Sequence, residues 1–362
     1  MGKNKGKYTI NEILTQHELW TSVITSVESK RDEVLPLFKD IERVIFTGCG
    51  SNYYMSLGAA IHFRFLTGIP SSGIPASELL LYPRAVFGGV EKALVVSLCR
   101  SGETTEVVKA INLVRKSTNF DTLYIGCYHQ STVAQLCTCK IALTEAQEKS
   151  IVTTKSHTAM FLAVQMIAGM LHTEGNITGS AYLKELKSLP EIGKRIIGNL
   201  RERVKGMPLE RYKQFVFLGS GPFYGIACES MLKMKEMAIV PSDSFHSLEF
   251  RHGPKSMLGE DVLVSIFLSD TARECEEVLI SEIKQLGGSV IVVCEKADSS
   301  LAESSDYLIE IESNLGEFSR SVILLPVSQL LAFYKALSKN IDVDSPRNLT
   351  YYVSLSTLLF DI

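Results

Sequence analysis

Val44-Ile45-Phe46-Thr47-Gly48-Cys49-Gly50-Ser51 finds its counterpart 171 residues later in Phe215-Val216-Phe217-Leu218-Gly219-Ser220-Gly221. Each is a short apolar run that ends in a glycine turn. The same offset carries Glu78, in Ala76-Ser77-Glu78-Leu79, onto Glu249, in Ser247-Leu248-Glu249-Phe250. Two points on one register argue for duplication. Each half continues in parallel: a strand at Ala93 to Ser97 or Val262 to Leu268, a helix at Glu103 to Lys116 or Arg273 to Leu286, and a strand at Leu123 to Gly126 or Val290 to Val293. Short β-branched runs alternating with amphipathic helices predict buried parallel sheets with helices on both faces. The expected fold is therefore α/β, as two tandem doubly wound domains.

A chain of 362 residues exceeds the size at which one core stops growing, which agrees with two domains. The expected boundaries are a helical segment at 1–40, a first domain at 41–180, a helical connector at 181–210, a second domain at 211–340 and an ordered tail at 341–362. The connector has Leu183, Leu186, Leu189, Ile192, Ile196, Ile197, Leu200 and Val204 on one side. Near the end Ser321 to Ser338 reads as an apolar helix that Pro326 should start or kink. The most apolar helix candidate, Ala159 to Leu171, is shorter than a bilayer span of about 20 residues and reads as a core helix.

With 37 basic against 40 acidic residues, no broad field attracts nucleic acid or an anionic membrane, and neither is expected as a partner. Eight cysteines form no C-x-x-C pair, which predicts reduced thiols and a cytoplasmic setting. The histidines show no zinc-type spacing, so neither a structural metal nor a cofactor is expected. Met1 to Lys7 is a short basic stretch with no apolar region behind it, and is not read as a signal peptide.

In an open parallel sheet, ligands bind beyond the carboxyl ends of the strands, where strand order reverses. Two turns occupy such ends: Gly48 to Asn52, and Leu98-Cys99-Arg100-Ser101-Gly102-Glu103-Thr104-Thr105. The second has two readings. A helix start offers unpaired N–H groups and a positive dipole end, and hydroxyls from Ser101, Thr104 and Thr105 with charge from Arg100 would suit a phosphate. Serine and threonine are equally favoured as ordinary N-caps. The first turn can reach a sugar or phosphate through its backbone, Ser51 and Asn52. A dinucleotide fits poorly, because Gly48-Cys49-Gly50-Ser51-Asn52-Tyr53 lacks the third glycine of G-x-G-x-x-G.

The second half supplies ionisable groups. In a helix predicted over Tyr224 to Ala238, Glu229, Lys233 and Glu236 fall on one face. Such trios are commonly surface ladders. Here Met231, Leu232, Met234 and Met237 predict burial, and buried charge needs a partner or a task. Further on, Glu249-Phe250-Arg251-His252-Gly253-Pro254-Lys255-Ser256 sets a histidine before a Gly-Pro turn. Its ordinary pKa suits proton transfer near neutrality, and the alternative is a solvated loop residue.

The repeat, Ser101-Gly102-Glu103-Thr104, Thr153-Thr154-Lys155, Glu229 to Glu236, Glu249 to Pro254 and Pro346-Arg347-Asn348-Leu349 together resemble the SIS (sugar isomerase) family. The likeness is strongest to the isomerase half of glucosamine-6-phosphate synthases and to free-standing amino-sugar-phosphate deaminases. It implies flavodoxin-like domains and a homodimer with the site between subunits. Cys99, Arg100, Ser101 and Thr104 would hold a sugar phosphate, and Ser51, Asn52, Ile151, Thr153, Thr350 and Tyr351 would contact the sugar. Glu236 would move the proton between C1 and C2, with Lys233 beside it and His252 opening the ring.

The chain departs from that pattern in three places. It begins without the glutaminase domain of the synthases, so glutamine-dependent synthesis is not expected. Cys99-Arg100-Ser101 stands where Ser-Gln-Ser is usual. Tyr351 stands where the synthases have a lysine capable of an imine, and tyrosine cannot form one. The expected activity is isomerisation with deamination of an amino-sugar phosphate. Deglycation of a 6-phosphofructosyl amino acid and non-catalytic sugar-phosphate sensing are the alternatives.

Overall fold

The computed structural model describes residues 5–173 and 177–355. Two five-stranded parallel sheets form its two halves. The first contains β1 (Arg43–Gly48), β2 (Ser71–Pro75), β3 (Ala93–Leu98), β4 (Phe120–Gly126) and β5 (Cys139–Ala142), in the order β2-β1-β3-β4-β5. The second contains β6 (Gln214–Gly219), β7 (Ser242–Phe245), β8 (Val262–Phe267), β9 (Ser289–Cys294) and β10 (Tyr307–Glu310), in the equivalent order β7-β6-β8-β9-β10. This is the flavodoxin-like order, whose crevice opens where the chain switches sides beside the first strand. β3, β8 and β9 are buried along their whole length, which explains their largely apolar sequences, each with a single serine.

The helices that matter for the site are α1 (Lys7–Thr15), α2 (Trp20–Ser29), α3 (Ser51–Thr67), α4 (Thr105–Val114), α5 (Lys155–Thr173), α6 (Ile177–Lys205), α7 (Tyr224–Lys233), α8 (Arg273–Gln285) and α9 (Ser321–Ser338). The charged stretch predicted as a connector is α6. Helix α9 runs through Pro326 rather than starting there. It is long and apolar enough to cross a membrane, yet 83% of it is buried inside the protein. All eight cysteines are free thiols.

One core cluster joins the facing sides of the two sheets through α3, α5, α7 and α9. Where α3 meets α7, a side chain on Gly225 would stand 2.7 Å from the Gly58 nitrogen. Only glycine permits that approach, and it sets the end of α7 against the start of α3. The termini are tied in as well. Asp344 accepts from the Thr9 amide at 2.8 Å and the Tyr8 amide at 3.1 Å, placing a carboxylate at the positive end of α1. Residues 356–362 of the expected tail lie outside the described residues.

Candidate active site

Beyond the carboxyl ends of β1 and β3 lies a cleft of about 220 Å³. Its walls include Ser51 and Asn52 from the start of α3, Arg100, Ser101 and Thr104 from the turn after β3, Ile151 and Thr153 from the loop before α5, Glu236 from the second half, and Thr350 and Tyr351 from the tail. Three of the expected residues do not line it. Cys99 is 1% exposed and packs into the core behind the turn, where burial pushes its thiol pKa up. Lys233 is fully buried beneath the cleft floor. His252 is exposed, on a turn held by the Arg251–Glu282 ion pair at 2.9 Å.

The predicted helix over Tyr224–Ala238 is α only as far as Lys233. Met234–Ala238 form a π turn that ends at Ile239, whose φ is +52°. A left-handed β-branched residue is a strained one, and π turns occur frequently at functional sites. Lys339 fastens this end by donating to the carbonyls of Ala238 and Ile239, both at 2.8 Å. The turn carries Glu236 to the cleft wall while Lys233 stays inside.

Lys233 Nζ donates to Ser51 Oγ at 3.0 Å, pairs with Glu229 at 3.3 Å and donates to Glu236. Burial works against this charge, but Glu229 and Glu236 outweigh it and lift the pKa above the ordinary lysine value. The ammonium therefore stays charged and holds the Glu236 carboxylate in place. Glu229 in turn lies 3.5 Å from His157 Nδ1.

The turn after β3 is built tightly. Gly102 has φ +68°, and a side chain there would stand 1.9 Å from Ser131 Oγ. Ser101 Oγ accepts from the Glu103 amide at 3.2 Å. Thr104 is the N-cap of α4, with no capping hydrogen bond from its side chain. The Thr105 amide is taken by the Val353 carbonyl of the tail at 3.2 Å.

Arg100, expected at the phosphate, lines the cleft with Ser101 and Thr104 and is also engaged by the protein. The guanidinium is paired with Glu148 at 3.0 Å, donates to the Ile151 carbonyl at 2.9 Å and the Tyr351 carbonyl at 2.8 Å, and stacks 3.9 Å above the Tyr351 ring. Arg100 is a clamp on the tail and on the loop before α5.

Glu148 and His157 escaped the sequence reading, since Gln147-Glu148-Lys149-Ser150 looks like a polar surface loop. In the fold Glu148 is buried and accepts from the Thr154 amide and hydroxyl at 2.6 and 2.8 Å and from Ser156 Oγ at 2.5 Å. Glu12 of α1 secures the same loop, accepting from the Lys149 amide at 2.6 Å and Ser150 Oγ at 2.5 Å. Asn348, Leu349, Tyr352 and Val353 also line the cleft. The Pro346-Arg347-Asn348-Leu349 motif was the available signal for the first two.

A second hollow of about 470 Å³ lies on the far side of the turn and shares Ser101, Tyr351 and Tyr352 with the cleft. It has neither Ser51 nor Glu236. The equivalent strand ends of the second sheet carry a carboxylate of their own. Glu276 of α8 accepts there from Ser220 Oγ at 2.7 Å and the Ser269 amide at 2.8 Å.

Fold and cleft together define a tandem α/β protein whose duplicated half contributes a carboxylate to the crevice of the other half. The chain belongs to the SIS domain family, which matches residues 37–170 and 209–336. A glutamine–fructose-6-phosphate aminotransferase (isomerizing) from Xanthomonas campestris pv. campestris is 29% identical over 330 residues, 88% of this chain and 53% of that protein. This chain thus spans about half the length of that relative. The crystal structure of a glucosamine-6-phosphate deaminase from Thermotoga maritima superimposes with a TM-score of 0.77 at 25% identity, covering 96% of this chain and 100% of that one. A tagatose-6-phosphate ketose/aldose isomerase from Escherichia coli shares the fold, with a TM-score of 0.81 at 23% identity over 93% and 95% of the two chains.

Proposed function

We propose that this chain isomerises and deaminates an amino-sugar phosphate of the glucosamine 6-phosphate type. The observation that carries the reading is that Thr104, at the start of α4, and Glu236, held by a buried ammonium, line one cleft. A phosphate at Ser101 and Thr104 meets a helix N-terminus, and its binding energy is remote from the reacting carbons. Glu236 takes the proton from C2 of the open-chain aldose and returns one to C1 while a proton passes from the amine to O1, leaving an imine at C2 and a hydroxyl at C1. Water adds there, and ammonia leaves to give the ketose. The substrate brings its own nitrogen, which agrees with Tyr351 in the tail, since tyrosine forms no imine. His252, exposed on the single chain, is available to the cleft of a second copy in a homodimer, where it would move the ring-oxygen proton.

Tyr351 agrees equally with a second reading, 6-phosphofructosyl amino acid deglycation, which needs the same enolisation and releases an amino acid. The purified protein is incubated with amino-sugar 6-phosphates and fructosamine 6-phosphates while ammonia and free amino acid are measured. Ammonia from glucosamine 6-phosphate supports the first reading and amino acid release the second. Tight binding without turnover of any compound identifies a sensor and removes both.

A further inference from the structure

We propose that His157 is a positioning residue for the base: its Nδ1 braces Glu229, which holds Lys233, which in turn sets the orientation and basicity of Glu236. This rests on the reading of Glu236 as the base. His157 lies in α5 and is 2% exposed. Its Nδ1 stands 3.5 Å from Glu229 Oε1 and has no hydrogen-bond partner, and Glu229 Oε2 also has none. Buried polar atoms are nearly always satisfied, so an unpartnered ring nitrogen beside a carboxylate that itself keeps one oxygen unpartnered marks a contact with a task.

The surroundings fix what that contact does. The charged and titratable groups around the ring and Glu229 are Lys233 on α7, Glu236 on the π turn, Glu148 before α5 and Tyr54 on α3. Burial, and then Lys233, hold His157 down to about 3, so the ring is neutral. A neutral imidazole carries one N–H. Beyond Glu229 the ring meets a small void shared with Tyr54, Met55, Gly58 and Phe161, which offers no competing carboxylate. The proton therefore belongs on Nδ1, facing Glu229. Burial raises the Glu229 pKa while Lys233 and Ser51 oppose it, so a donated N–H from His157 favours the ionised form, which shares the Lys233 charge with Glu236. Without the brace Glu229 takes up a proton more readily, and the ammonium falls on Glu236 alone, making it a weaker base.

The test follows kcat/KM against pH with glucosamine 6-phosphate, where the acid limb reports the base. In His157→Phe the limb moves to lower pH by about one unit, the low end of what one charge within 4–6 Å does. Glu229→Gln moves it the same way, the double variant moves it no further, and His157→Asn, which restores a donor at Nδ1, returns it. A uniform loss of activity with an unmoved limb, or a His157→Asn variant that behaves as His157→Phe, overturns the proposal. ¹⁵N NMR of the ligand-free full chain adds a readout that needs no turnover: a neutral, Nδ1-protonated ring from pH 6 to 8 is expected. A charged or Nε2-protonated ring rejects the brace even if the enzyme is active. If glucosamine 6-phosphate is not turned over, the base reading fails while the NMR result still decides the brace.

Discussion

The ammonium of Lys233, on α7 of the second repeat, lies 3.0 Å from the hydroxyl of Ser51, the first residue of α3 in the first repeat. This bond crosses the duplication and sits directly beneath the cleft. It depends on the close approach of Gly58 and Gly225, which brings the end of one helix to the start of the other. One fully buried cation thereby serves the fold and the candidate base together.

Removing that cation should be costly. Lys233→Met leaves Glu229 buried without its counter-charge, and breaking a buried pair this way costs about 3–5 kcal/mol. Urea unfolding should show a loss of that order, and adding Glu229→Leu should recover much of it. If the single variant is as stable as the parent, the pair is not the buried brace described here.

Arg100 should govern the tail. Its donors go to Glu148, Ile151 and Tyr351, so Arg100→Gln should release residues 348–355 to proteolysis and raise KM for a phosphosugar more than it lowers kcat. Tyr351→Phe keeps the stacked ring and the backbone carbonyl and loses only the 3.1 Å hydroxyl contact with Tyr128, so it should cost about 1 kcal/mol or less. A larger loss in Tyr351→Phe than in Arg100→Gln contradicts the clamp.

Stability should depend on pH through His62. This buried ring lies 2.9 Å from the Gly58 carbonyl and 3.1 Å from Ser321 Oγ, and burial holds it down to about 4, against 6.5 for an exposed histidine. The folded pKa is the lower one, so the unfolded chain takes the proton first as pH falls. The stability contributed by the neutral ring is complete above about pH 6.5 and is lost as pH drops towards 4. The advantage of the parent over His62→Asn should therefore shrink across that window, by a few kcal/mol at most. An advantage that stays constant from pH 7 to 4 means that the ring titrates normally.

Much of the fold was legible because it depends on local pattern. Gly48 and Gly219 mark equivalent strand ends, and the β-branched runs that follow must be buried on both faces. The contacts between distant segments were not legible. Nothing near Arg100 announces that Glu148 and the Tyr351 carbonyl will occupy its donors, and nothing near Thr105 announces the carbonyl of Val353. The α spacing of Glu229, Lys233 and Glu236 correctly put them together, but a π turn aims Glu236, and its strain at Ile239 is sustained by Lys339, just past the end of α9. Glu148 and His157 were hidden for the same reason: their burial comes from segments far away in sequence.

The central claim is that Glu236 moves a carbon-bound proton on a ligand whose phosphate rests at Ser101 and Thr104. Its most direct test is solvent exchange, with glucosamine 6-phosphate or fructose 6-phosphate incubated in deuterium oxide and deuterium at C1 and C2 followed by NMR. The parent protein should introduce deuterium there, and Glu236→Gln should bind the same compound with similar affinity while introducing none. Exchange by Glu236→Gln at the parent rate, or binding by the parent with no exchange, would contradict it.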